Sequence, residues 1–99
     1  MPEIEARKIA DMIFEKFGTK NVFEIAEKAR VKIVFERWFP ATIGEFDRKN
    51  KLICVNLNAS EKVEKIIAHE LGHFFAHDFN FDKVEEERFA RKFAQILIG

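Results

Sequence analysis

His69-Glu70-Leu71-Gly72-His73 reads as H-E-x-x-H, with one glycine and no proline inside it. If the stretch is helical, residues four apart share a face with Cβ atoms about 5–6 Å apart, so both imidazoles can converge on one metal ion. Glu70, one position on from His69, can face a water on that ion without binding the ion itself. Two His ligands and a carboxylate general base form the zinc-peptidase arrangement. The bland alternative is two solvated histidines that meet the pattern by chance in a charged helix. Ala68, Leu71, Gly72, Phe74 and Phe75 speak against it, because an apolar setting is costly for two His and a Glu that nothing organises.

Working back from the motif, Asn58-Ala59-Ser60-Glu61 is a helix start, with Asn58 or Ser60 as the N-cap, and Val63, Ile66, Ile67 and Phe74 anchor the helix. Before it, Lys51-Leu52-Ile53-Cys54-Val55-Asn56 reads as a strand. Leu52 and Cys54 lie on one face and Ile53, Val55 and Leu57 on the other, so helices are expected to cover much of the sheet. Cys54 is the sole cysteine and is expected to be a buried strand residue. Asp47-Arg48-Lys49-Asn50 is a polar turn that joins this strand to Thr42-Ile43-Gly44-Glu45-Phe46 as an antiparallel hairpin. Val31-Lys32-Ile33-Val34-Phe35 is β-branched and aromatic without a helical period, hence a first strand. Trp38 and Phe39 follow it as core-edge aromatics.

Further upstream, Pro2, Glu3 and Glu5 suit a helix start. Ala6, Ile9, Ala10, Ile13 and Phe17 recur at helical spacing until Gly18, which predicts a helix over 3–17. Asn21 with Glu24 three residues on predicts a second, shorter cap-and-helix unit. Beyond the motif, Asp82 is the cap of a last helix reaching about Leu97. The expected fold is α+β over one domain, residues 1–99: two helices, a small, largely antiparallel three-stranded sheet, the H-E-x-x-H helix, and a C-terminal helix.

Catalytic zinc takes three protein ligands and a water, so a third ligand is needed. His77 lies about 12 Å along a continuous helix from His69 at 1.5 Å per residue, too far for the same ion, and is read as a pocket-rim or capping residue. Carboxylates downstream are better placed: Glu85, Glu86 and Glu87, with Asp78 and Asp82 as loop alternatives. Periodicity leaves the choice open. Glu86 aligns with Ala90, Phe93 and Leu97, whereas Glu87 lies beside Ala90 and Ala94, whose small size lets two helices approach. At least two of the three glutamates are expected to be solvated acids of a helix's first turn.

Ile67-Ala68-His69-Glu70-Leu71-Gly72-His73, then His77, then Glu87-x-x-Ala90-x-x-Phe93-Ala94-x-x-Leu97 resembles the ImmA/IrrE family of small gluzincin-type metallopeptidases. Ile53-Cys54-Val55-Asn56 and Ile25-Ala26 fit that family's layout as well. The resemblance implies His69, His73 and Glu87 as zinc ligands, with manganese as the alternative metal, and Glu70 as general base. It also implies a protein or peptide substrate, such as a helix-turn-helix repressor. The chain departs from the pattern at Arg91, where Asn or Asp is usual. The rival reading is a metal-stabilised antirepressor or toxin–antitoxin module that acts by binding alone.

Composition sets the outer bounds. Seventeen basic and seventeen acidic residues cancel, so no global field draws the chain to nucleic acid or to an anionic membrane. No apolar run reaches spanning length and no signal-peptide core is present, which predicts a cytoplasmic protein. Its oligomeric state is not legible.

Overall fold

The computed structural model describes residues 1–38 and 43–99. In chain order the elements are α1 (Pro2–Phe17), α2 (Val22–Lys28), β1 (Lys32–Glu36), β2 (Gly44–Asp47), β3 (Leu52–Asn56), α3 (Val63–Phe75), a short 3-10 helix (Ala76–Asp78) and α4 (Lys83–Ile98). This is the α+β order expected. Phe39 and Thr42, read above as a core-edge aromatic and part of a strand, lie outside the described residues.

Local chemistry sets most boundaries. Asn21 Oδ1 accepts from the backbone N–H groups of Phe23 and Glu24 at 2.9 and 3.1 Å, which satisfies two of the donors that a helix start leaves unpaired. α1 ends at Gly18, whose N–H reaches the Phe14 carbonyl and whose φ of 68° turns the following chain out of the helix, a left-handed closure that glycine adopts without steric cost. Asp82 and Glu85 form a reciprocal capping box at the start of α4. The start of α3 differs from expectation. Its N-cap is Lys62, with no side-chain cap, because Asn58 is engaged with the preceding segment. The Asn58 side chain accepts from Arg37 at 3.1 Å and donates to the Trp38 carbonyl at 3.1 Å.

β2 and β3 form the expected antiparallel hairpin, Gly44 opposite Val55 and Asp47 opposite Leu52. β1 pairs β3 in parallel, Lys32 opposite Leu52, and the strand order is β1-β3-β2. The sheet is therefore mixed rather than largely antiparallel. Residue pattern marks a strand but not its direction. α3 packs against the face that carries Gly44, Phe46, Ile53 and Val55, with Ile53 and Val55 fully buried. On the opposite face Leu52 and Cys54 are only half-buried, so cover is one-sided where two-sided cover was expected.

α3 is the spine of the core. Ile66, Ile67 and Leu71 are buried to within 1%, at about 1.5–3 kcal/mol of hydrophobic stabilisation each. Phe89 and Phe93 of α4 are likewise buried and join Phe75, Phe79 and Phe81 in one aromatic cluster. α1 closes over α4 with Ala6, Ala10 and Ile13, and Arg88 of α4 makes two hydrogen bonds to Glu3 at 2.8 and 2.9 Å. None of the helices among the described residues is long and apolar enough to cross a membrane.

Candidate metal centre

α3 and α4 cross where both carry their smallest residues. A Cβ built on Gly72 would stand 2.6 Å from Ala90 Cα and 3.0 Å from the Ala90 carbonyl oxygen, so glycine is what lets the two backbones touch. One turn before Ala90, α4 then lays Glu86 and Glu87 across the motif face of α3.

The imidazoles of His69 and His73, one turn apart, have ring centroids 5.1 Å from each other. The Glu87 carboxylate lies between their Nε2 atoms, at 3.0 Å from His69 and 3.2 Å from His73. One ligand atom from each of the three residues falls within 4.8 Å of the others, and among the described residues no other group of this kind forms. A tetrahedral ion with bonds of about 2.1 Å needs donor atoms roughly 3.4 Å apart, so the donor set and its spacing fit a divalent ion. Burial holds the His69 pKa below its ordinary value, with His73 and Arg91 pushing the same way against the pull of Glu87. The ring is thereby kept neutral, the form that ligates. For Glu87, burial acts upward, but His69, His73 and Arg91 outweigh it and keep the carboxylate ionised.

Glu70 lies just beneath, 7% exposed, next to Gly44, where an added Cβ would sit 3.4 Å from Glu70 Oε2. Burial, with added repulsion from Glu87 and Glu45 and an opposing pull from His73, raises its pKa to about 7. Clefts flank the site on both sides. One of about 340 Å³ runs from His69 past Ile43, Ile66, Ala94 and Ile98, with Lys65 and Arg91 at its rim. The other, about 260 Å³ and polar, is lined by Glu70, His73, Phe46, Arg48 and Glu86.

The remaining candidates go elsewhere. His77 donates through Nδ1 to the Phe74 carbonyl at 2.7 Å and faces Asp78 through Nε2, so it caps the end of α3, as one of its two expected roles required. Asp82 and Glu85 are consumed in the capping box. Glu86 is not the solvated acid expected of it, because its Oε2 accepts from His73 Nδ1 at 2.8 Å and its Oε1 from Arg48 Nη2 at 3.4 Å. Neither contact had a local signal, since the partners are 13 and 38 residues away in sequence. Arg91, in the position where the resembling family carries Asn or Asp, donates from Nε to Glu87 Oε2 at 3.2 Å, so a different residue type supports that carboxylate here.

Residues 14–98 match the family model for the IrrE N-terminal-like domain, a peptidase family. The chain belongs to this family. No curated protein and no solved structure matches it. In this IrrE-like domain the matched span runs from the last turn of α1 to the end of α4 and so takes in His69, Glu70, His73 and Glu87 together.

Proposed function

We propose that this IrrE-like domain is a metal-dependent endopeptidase that acts on a regulatory protein, with a helix-turn-helix repressor as the leading substrate class. In this reading His69, His73 and Glu87 hold the ion and Glu70 is the general base. The observation that carries it is the convergence of both Nε2 atoms and the Glu87 carboxylate, with a buried glutamate alongside.

The metal of choice is zinc, with manganese as the alternative, since two neutral imidazoles and a carboxylate suit it. When bound, the ion supplies the Lewis acidity that polarises a carbonyl and acidifies a water. The chain supplies the rest. Glu70 accepts a proton on a carboxylate oxygen as the water oxygen attacks the carbonyl carbon, and returns it to the amide nitrogen as the C–N bond breaks. Among the described residues the outer edge of β2 has no paired strand, and Gly44 on that strand adjoins Glu70. A substrate segment added there by backbone hydrogen bonds would pass the site.

The test is cleavage of a repressor encoded beside this gene, followed by mass spectrometry. Metal-loaded protein is expected to yield fragments, chelation to stop them, and one equivalent of zinc to restore them. Relief of repression with the repressor left intact would instead leave a binding module.

A further inference from the structure

We infer that Glu86 is a positioning residue for His73, held in place by Arg48 from the turn between β2 and β3. The inference rests on the metal-site reading above and adds to it a residue outside the donor set.

A carboxylate at this contact can only accept, so the 2.8 Å bond from His73 Nδ1 to Glu86 Oε2 fixes a proton on Nδ1. That leaves Nε2 as the ring nitrogen for the ion, and Nε2 is the atom that faces Glu87. The same bond fixes the rotation of the imidazole, which a single attachment to the α3 backbone does not. An outer carboxylate of this kind both orients a ligating histidine and raises its basicity.

Arg48 keeps Glu86 from swinging away to solvent. Its Nη2 donates to Glu86 Oε1 at 3.4 Å and to the His73 carbonyl at 3.0 Å. That carbonyl is among the last four of α3, which lack helical partners, and a cation there suits the helix C-terminus. The guanidinium also lies 5.7 Å from the Phe46 ring, which packs edge-on against Phe74 beside His73. The hairpin turn thus grips the ligand and its orienting carboxylate with one side chain. Both charged groups are partly exposed, so their pair contributes little to stability. Its effect is expected on the metal instead.

Zinc affinity is to be measured by competition with a chromophoric chelator on metal-free protein, with thermal melts on the same samples. Glu86→Ala is expected to weaken zinc binding about 10- to 100-fold with little change in Tm. Glu86→Gln is expected to recover part of the loss, because its amide oxygen can still accept from Nδ1. Arg48→Ala should lose less than Glu86→Ala, in the same direction. Glu85→Ala is the control for a merely structural role: it breaks the capping box and lowers Tm but should leave affinity unchanged. Affinity within about twofold of wild type in folded Glu86→Ala, with Glu87→Ala weakened, overturns the inference alone. Unchanged affinity in Glu87→Ala as well overturns the metal site beneath it.

Discussion

Glu70→Gln is expected to lower peptide-bond cleavage about 10²- to 10⁴-fold, the range that a positioned general base contributes, while leaving metal uptake and fold intact. The substitution keeps the shape of a buried side chain of α3 that packs beside Gly44 of β2. It removes only the ability to accept the proton of the attacking water. The metal-free variant should be at least as stable as wild type. Burial already penalises the ionised carboxylate, as its raised pKa reports, and an amide carries no charge to desolvate. Steady-state kinetics on a substrate that wild type cuts, with metal content measured in parallel, checks this. Wild-type rates in a fully loaded Gln variant would remove Glu70 from the chemistry.

Gly72→Ala is expected to damage the fold and the site together. The added Cβ would meet Ala90 Cα at 2.6 Å and the Ala90 carbonyl oxygen at 3.0 Å. These are backbone atoms of a packed helix and cannot turn aside as a flexible side chain would. α4 must therefore move away from α3. Overpacking of this kind costs about 1–3 kcal/mol, against a gain of about 1 kcal/mol from the better helix propensity of alanine. A net loss of each kcal/mol lowers Tm by about 4–8 °C in a domain of this size. The movement also lifts Glu87 and Glu86 from the two imidazoles, so zinc affinity should fall with Tm. Gly18→Ala is the contrast, since nothing stands within 4 Å of its Cβ and only the left-handed φ is penalised. A Gly72→Ala protein with wild-type Tm and zinc affinity would show that the close crossing does not set the site.

Elements with a chemical signature in a short window were legible. Gly18, Asn21 and Asp82 announced a helix end and two helix starts because each acts within three or four residues of itself. Asn58 carried the same local signal and misled, since its side chain serves Arg37 and Trp38 some twenty residues back. The direction of β1 was not legible for a related reason: a run of β-branched residues fits either edge and either direction. At the site, His69, Glu70 and His73 declare themselves by spacing alone. The third carboxylate does not, because Glu85, Glu86 and Glu87 stand side by side and the helix crossing at Gly72 and Ala90 separates their fates. Spacing left Glu86 and Glu87 open, and only the family resemblance pointed to Glu87. The geometry then gave all three glutamates distinct partners: a cap, an imidazole Nδ1, and the pair of Nε2 atoms.

The claim on which the rest depends is that His69, His73 and Glu87 form one divalent-metal site, and counting metal tests it most directly. Wild type and Glu87→Ala are stripped, reconstituted with zinc, desalted and submitted to elemental analysis alongside circular dichroism. The expected result is about one zinc per wild-type chain and essentially none in a Glu87→Ala protein that is still helical. No bound metal in reconstituted wild type, or equal metal in the two proteins, would contradict it.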